Sequence, residues 1–269
     1  MAVVHRYFRT RKKFPHVWCA GCGHGIITAS IIRAIDKIGI DRNKVVLVSG
    51  IGCSSRAPVY FDFNTLHTTH GRAIPFATGV KLANPELTVI VITGDGDATA
   101  IGGNHFIHAC RRNIDLNLIV YNNNIYGMTG GQCSPTTPSE KKSSTTPYGN
   151  MDNPFDICSL AAGAGASFVA RVTAHGIMKT DKTIEKAIKH KGLCVIDAIS
   201  QCETYFGRPN KLGTNVDMMK FQKENSITIE KAEKLSPEEK AGKIITGIFV
   251  EKDIPEYSAN YRQALQNII

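Results

Sequence analysis

No stretch of this sequence is apolar for long enough to cross a membrane, and none has the build of a secretory leader; "MAVVHRYFRTRKKF" opens the chain with basic character but no hydrophobic segment behind it. The G-x-x-x-x-G-K-[ST] loop of P-loop nucleotide-binding proteins is absent. A dinucleotide fingerprint fails as well, since Thr99 stands where a third glycine would follow Gly94 and Gly96. The eight cysteines lack the even spacing of a disulfide framework, which fits free thiols in a reducing compartment. No internal repeat is visible. The expectation is a cytoplasmic protein.

What is present is a chain of 269 residues, 42% hydrophobic, enough to bury one large core or two small ones. Lys and Arg exceed Asp and Glu by 32 to 23, giving a net charge of +9 and a surface that attracts anions. A nucleic-acid-binding or scaffold protein with a zinc-holding CxxC is the reading from another class. Against it, the basic residues are scattered and the aromatics are not interleaved with them in an RNA-binding pattern.

Apolar, β-branched runs recur at residues 44–50, 88–94, 116–122, 166–172 and 193–200. Segments with helical spacing lie between several of them, at 24–39, 103–113, 154–165 and 181–192. Continuous apolar strands alternating with amphipathic helices predict an α/β fold with a mostly parallel sheet and helices on both faces. The Gly-, Pro-, Ser- and Thr-rich segment from Thr129 to Asn150 reads as an active-site loop, because it leaves a strand end rather than joining two complete repeats. From Phe206 onward strand signals are few and Lys and Glu are many, which predicts a peripheral C-terminal tail over 206–269, packing on the domain of residues 1–205 or on a partner subunit.

"TVIVITGDGD" (Thr88 to Asp97) and "LNLIVYNNNIYG" (Leu116 to Gly127) have room for one helix between them, so their strands should be parallel neighbours. Asp95 and Asn123 would then project from strand ends roughly 5 Å apart. With a backbone carbonyl such as that of Ile125 they offer hard oxygen ligands suited to Mg²⁺, at the edge where α/β sheets bind ligands. GDGD alone would be an ordinary strand-to-helix turn with Asp97 near an N-cap; the three asparagines after the next strand tip the balance.

"WCAGCGHG" supplies Cys19 and Cys22. Gly23 stands where a c-type haem motif needs its histidine, and no strand precedes the pair as in a thioredoxin-like site. Half of a metal or cluster site remains. Cys53 in "SGIGCSSR" and Cys202 in "ISQCETY" both follow strands and lie at the same sheet edge. A four-thiolate site next to a bound cofactor suits redox work, although Zn²⁺ would take the same ligands. Cys110, Cys158 and Cys194 read as small buried hydrophobes, and Cys133 on the polar loop is the one spare ligand.

The pairing of GDGD with NNNIYG resembles the GDG...NN motif of thiamine diphosphate enzymes, which implies Asp95 and Asn123 as side-chain ligands and Ile125 as a carbonyl ligand to Mg²⁺. With the CxxC, "GIGCSSR", "HTTHGRAIPFATGVKLANPELTVIVITGDGD", "YGMTGGQCSPTTP" and Cys202, the chain from about Pro15 to Pro209 resembles the β subunit of 2-oxoacid:ferredoxin oxidoreductases. "GCSSR" and "HTTHGRA" are most similar to the 2-oxoglutarate branch. The resemblance implies one [4Fe-4S] cluster on Cys19, Cys22, Cys53 and Cys202 beside thiamine diphosphate. Ile51, Gly52, Cys53 and Ser54 would line the cofactor, Gly96 and Asp97 would lie near its diphosphate, and Gly127 and Met128 near the covering loop. His67 and His70 would face the reacting centre, and Arg56 would pair with a substrate carboxylate.

The activity so implied is oxidative decarboxylation of 2-oxoglutarate with coenzyme A to succinyl-CoA and CO₂, or the reverse carboxylation, with electrons passing through the cluster to ferredoxin. The alternatives are a pyruvate- or branched-chain-specific relative, or a non-redox thiamine diphosphate decarboxylase with structural zinc. No Glu falls in a motif that would activate the cofactor, and no further cluster-type cysteine run is present. The resemblance therefore implies an α subunit supplying that Glu, with or without small γ and δ subunits, and no nucleic-acid or membrane partner.

Overall fold

The computed structural model describes residues 3–10 and 15–266. Its centre is an eight-stranded sheet made of β1 (Val45–Ser49), β2 (Asn64–His67), β3 (Thr88–Gly94), β4 (Asn117–Asn122), β7 (Phe168–Thr173), β8 (Cys194–Ile199), β9 (Ser226–Thr228) and β10 (Ile244–Glu251). The short strands β5 (Ile125–Tyr126) and β6 (Gln132–Cys133) form a separate antiparallel pair. The large sheet runs in the order β2-β1-β3-β4-β8-β7-β10-β9. It is parallel throughout, except that β10 runs antiparallel to β7.

The helices are α1 (Gly23–Ile38), α2 (Ala57–Tyr60), α3 (Ala73–Ala83), α4 (Gly103–Arg112), α5 (Ile157–Gly163), α6 (Ile177–Lys189), α7 (Asn215–Asn225), α8 (Ile229–Ala232), α9 (Pro237–Lys240) and α10 (Tyr257–Gln266). α1 and α6 pack on one face of the sheet, and α3, α4 and α5 on the other. Successive residues of a strand point to opposite faces, so β3 sends Ile90 and Ile92 to a layer with Ile31 and Ile35 of α1 and Ile184 of α6. Val89 and Val91 go to the other layer, with Ala77 of α3, Phe106 of α4 and Ile157 of α5. A sheet covered on both faces needs apolar residues at consecutive positions, which is why these strands read as unbroken hydrophobic runs. Each fully buried Ile contributes about 1.5–3 kcal/mol, so these two layers are the main source of stability.

β3 and β4 are parallel neighbours, as their sequences predict, and their carboxyl ends open on the same edge. Each predicted run forms a strand and each predicted helical segment a helix. The segment beyond Phe206 departs from expectation: β10 joins the main sheet beside β7, and β9 follows it. "IITGIFVE" hides this strand because it is half-exposed near the sheet edge, and its register shifts at a bulge between Ile248 and Val250, next to Gly247 with φ 136°. Strand β2 and helix α3 also lie outside the predicted set.

Candidate functional site

Two cavities meet at the carboxyl edge. The first, of about 110 Å³, is lined by Ile51, Gly52, Cys53 and Ser54 after β1, by His70, by Gly94 to Asp97 after β3, and by Asn123 to Thr129 after β4, except Asn124. The second, of about 180 Å³, is lined by Cys19, Cys22, Cys53 and Cys202 together with Trp18, Tyr205 and Asn215. His24, Cys53, Asn123, Gly127 and Met128 line both.

In the first cavity the oxygens converge. Asp95 is buried at 3% exposure and its Oδ2 accepts from Ser134 at 2.6 Å and from Thr136 at 2.5 Å. Burial dominates these hydrogen bonds and pushes its carboxyl up to about 6. The end of the Asn123 side chain lies 3.2 Å from Asp95 Oδ1 and 2.9 Å from the Ile125 carbonyl oxygen. With its amide oxygen turned inward, three oxygens face one another with no proton between them, the donor chemistry of a hard cation; turned the other way, the amide nitrogen bridges the two acceptors. The residues present fit Mg²⁺.

The chain after β3 leaves through a wide π turn over Asp97–Ile101, with Thr99 donating to the Asp95 carbonyl at 2.7 Å. Gly96 permits a close approach, because a Cβ there would fall 2.3 Å from the Tyr126 ring, whose hydroxyl donates to the Gly96 carbonyl at 3.1 Å. Asp97 is buried and fully engaged. It hydrogen-bonds His70 Nδ1 and accepts from the Gly71 N–H at 2.6 Å and the Thr93 hydroxyl at 2.8 Å. His70 is thereby oriented at the cavity wall, edge-on to Tyr126. His67 is not brought into the cavity lining: it ends strand β2, is exposed, and its Nδ1 lies 2.9 Å from Ser49 Oγ. Arg56 stands just before α2, outside the lining of both cavities; its N–H donates to the Cys53 carbonyl at 3.3 Å, and its side chain has no hydrogen-bond or ion-pair partner among the described residues.

The thiols of the second cavity are gathered from three segments. Trp18 donates from Nε1 to the Cys53 carbonyl at 2.7 Å, tying the CxxC segment to the turn after β1. Gln201 donates to the Gly21 carbonyl at 2.9 Å and Asn215 to the Ala20 carbonyl at 2.7 Å. A Cβ on Gly127 would sit 3.7 Å from the Cys53 sulfur and 3.8 Å from that of Cys202. Burial, reinforced by the neighbouring thiols, pushes Cys22 up to about 12 and Cys53 up to about 11, and burial raises Cys202 as well. No three His, Cys, Asp or Glu side chains among the described residues close on one point as the ligands of a single ion. Four thiols lining one cavity are the ligand set of an iron–sulfur cluster or of zinc.

His24 separates the two cavities. It is 1% exposed, burial pulls its imidazole down to about 3, and its Nδ1 lies 2.8 Å from Ser200 Oγ. The polar loop from Thr129 folds over the first cavity through Ser134, Thr136 and Thr137, which donates to the Asn124 carbonyl at 2.7 Å. Cys133 lies in β6 opposite Ile125, outside the thiol cavity. Cys110, Cys158 and Cys194 are buried in the body. The sequence reading did not single out His24, Ser134, Thr136, Tyr126 or Asn215. The only signal for the first four was their place inside the quoted motifs, and Asn215 had none.

Paired strand ends that present a metal-type oxygen set below a hydroxyl-rich loop define a thiamine diphosphate-binding protein. Residues 42–198 match the thiamine pyrophosphate enzyme, C-terminal TPP binding domain. The chain is 54% identical over 251 residues to 2-oxoglutarate synthase subunit KorB of Methanothermobacter thermautotrophicus, covering 93% of this chain and 87% of that one. It is 51% identical over 264 residues to the subunit of the same name from Methanocaldococcus jannaschii, covering 98% and 97%. Among solved structures, the 2-oxoglutarate:ferredoxin oxidoreductase of Magnetococcus marinus, with 2-oxoglutarate, coenzyme A and succinyl-CoA bound, superposes with a TM-score of 0.88 at 33% identity, covering 99% of this chain and 91% of that one. The chain belongs to the family of 2-oxoacid:ferredoxin oxidoreductase β subunits. It is therefore one subunit of a multi-subunit enzyme. Among the described residues no helix is long and apolar enough to cross a membrane.

Proposed function

We propose that this chain binds thiamine diphosphate through Mg²⁺ held by Asp95, Asn123 and the Ile125 carbonyl, and holds a [4Fe-4S] cluster on Cys19, Cys22, Cys53 and Cys202. Its enzyme would act on 2-oxoglutarate and coenzyme A, with ferredoxin as the electron partner, in the direction of decarboxylation or of carboxylation. The observation that supports this reading best is the junction of the oxygen-lined and thiol-lined cavities across His24, Cys53, Asn123, Gly127 and Met128. That adjacency gives an electron donor and an electron acceptor a common wall.

When bound, thiamine diphosphate supplies the carbanion chemistry and the cluster accepts electrons. The chain's own residues position and insulate. Asp95 and Asn123 would fix the metal, while the N–H groups and turns at Gly52 and Gly96 line the approach to it. Asp97 holds the His70 ring with one nitrogen engaged, leaving Nε2 as the group able to hold or pass a proton at the cavity wall. Neutral His24 and the buried Tyr121 ring keep charge and water out of the wall between the cavities. Arg56, unpaired and half-buried three residues after Cys53, is assigned to the substrate carboxylate. His67 braces Ser49 at the end of β1.

The glutamate that activates the cofactor is assigned to an α subunit, as the resemblance implies. Residues 1–205 hold the proposed ligands; the 206–269 segment both extends the sheet and, through Asn215, buttresses the CxxC turn. The test is anaerobic purification with the co-expressed partner, with iron and sulfide counts and EPR before and after 2-oxoglutarate and coenzyme A. Four iron and four sulfide per chain with a substrate-reduced signal is the expected result. Zinc in place of iron would remove electron transfer from the reading, and reduction by pyruvate alone would move the substrate.

A further inference from the structure

Asp95 does not hold its place alone. Thr136, which donates to it, shares that one hydroxyl proton with a longer contact to Asn122 Oδ1 at 3.2 Å, and Asn122 is fixed in orientation because its Nδ2 donates to Asp197 Oδ1 at 3.0 Å. Asp197 is fully buried on β8, and its other oxygen accepts from Arg171 Nε at 2.7 Å, directly across the β7–β8 ladder. Arg171 then reaches Asp156 with Nη2 at 2.6 Å. Burial raises the Asp197 carboxyl and Arg171 opposes that rise, so this pair is an ion pair whose loss would leave a charge unpaired in the core.

The chain of contacts closes on itself. Asp156 stands at the far end of the polar loop, where it caps α5 by accepting from the Ser159 N–H at 2.7 Å. Its neighbour Phe155 donates its N–H to the Pro135 carbonyl at 2.8 Å, between Ser134 and Thr136. Arg171 therefore grips the loop twice, once through Asp156 and Phe155 and once through Asp197, Asn122 and Thr136. Both routes end on the 134–136 segment, whose Ser134 and Thr136 hold the Asp95 carboxylate.

We propose that Arg171, Asp197, Asn122 and Thr136 form a latch that fixes the 129–156 loop and sets the position of Asp95 for its metal, making Thr136 and Arg171 positioning residues of the cofactor site. This rests on Asp95 being a metal ligand. The Arg171 fork is suited to the task because a guanidinium spans two carboxylates at fixed angles, which an ammonium does not.

The test measures the Mg²⁺ concentration for half-maximal thiamine diphosphate retention, by equilibrium dialysis of the complex with its partner. Thr136→Val is expected to raise that midpoint about 10- to 100-fold, the usual cost of losing a group that orients a ligand, with Thr136→Ser returning to within about threefold of the parent. Arg171→Lys is expected to raise it about threefold or more, and to speed amide exchange across residues 134–156 before Mg²⁺ is added. A parental midpoint in Thr136→Val, or in Arg171→Lys where the valine variant does not assemble, overturns the latch. Asp95→Asn in the same assay separates the two claims: loss of Mg²⁺ dependence there with an unchanged Thr136→Val sinks the latch alone, whereas retained dependence in Asp95→Asn removes the ligand reading and the latch with it.

Discussion

At the amino edge of the sheet, beside a cavity of about 630 Å³, Lys81 and Asp115 are both buried and form a 2.7 Å ion pair, and Lys81 also donates to the Leu87 carbonyl at 2.8 Å. At the carboxyl edge, in a cavity of about 110 Å³, Asp95 is equally buried, has no cationic partner among the described residues, accepts hydroxyl hydrogen bonds on one oxygen, and turns the other toward Asn123 and the Ile125 carbonyl. The roomier edge has its buried charges matched within the chain, whereas the narrower one has donor atoms that face each other. A cofactor site is marked by chemistry left open for a ligand, and volume is a poor guide to it.

The sharpest way to break this comparison is to remove one charge at each edge. Asp95→Ala is expected to weaken Mg²⁺-dependent thiamine diphosphate retention at least about 100-fold while far-UV dichroism stays unchanged, because the proposed metal ligand is lost but little packing. Lys81→Met is expected to do the reverse, costing about 1.5–3 kcal/mol in urea unfolding because Asp115 loses its short ion pair and keeps only Lys191 at 3.7 Å and the Gly192 N–H, with cofactor retention preserved in the protein that stays folded. Cofactor loss in Lys81→Met, or none in Asp95→Ala, would collapse the distinction.

The cysteines extend the comparison from charge to thiols. Cys202→Ser is expected to lose most iron and sulfide from the anaerobically purified complex, and Cys110→Ser to lose little, since Cys110 is packed in the core away from the thiol cavity. Equal losses would place the fourth ligand elsewhere. Arg56→Leu is expected to raise KM for 2-oxoglutarate about 10- to 100-fold and to change that for pyruvate far less, because only the larger substrate has a second carboxylate to lose a charged hydrogen bond. Parallel changes in steady-state KM for the two acids would remove Arg56 from substrate selection.

The smallest expected effect belongs to His24. Its imidazole is held at about 3 by burial against 6.5 when exposed, so the fold has its full contribution above pH 6.5 and loses it as the pH falls from there toward 3. Replacement by Gln is expected to recover up to about 2 kcal/mol of the stability lost between pH 7 and pH 5, read from urea midpoints. An identical acid slope in both proteins would mean that the wall between the cavities opens before His24 has to be protonated.

Much of this was legible in the residues. Five apolar runs became five strands because a sheet buried on both faces demands consecutive apolar positions. GDGD and NNN marked the oxygen set, and the spacing of the cysteines along the chain marked the thiol edge. Other features were hidden for physical reasons. Helix α3, in "AIPFATGVKLA", contains Ile74, Thr78, Gly79 and Val80, so local propensity argues against it while packing on β3 makes it, and Pro75 is tolerated because it falls in the first turn. β10 is bent and half-exposed. The latch from Arg171 to Thr136 links residues on different strands, and no local pattern announces a contact of that kind. Asp197, in "LCVIDAIS", shows up in sequence only as a polar residue inside an apolar strand.

The position of β8 in the sheet has a consequence in time. It lies between β4 and β7, so the last strand of the parallel core to be synthesised completes the middle of the sheet. Cys202 follows that strand, while Cys19 and Cys22 precede the first. At about 5–20 residues per second, the ribosome exposes the CxxC roughly 10–40 s before its distant fellow thiol emerges. Cys53 joins them within about 2–6 s, but for the rest of that interval the early thiols stand without Cys202. The proposed cluster would therefore receive its iron and sulfide only after translation, and a reducing environment would be needed to keep the early cysteines from oxidising first.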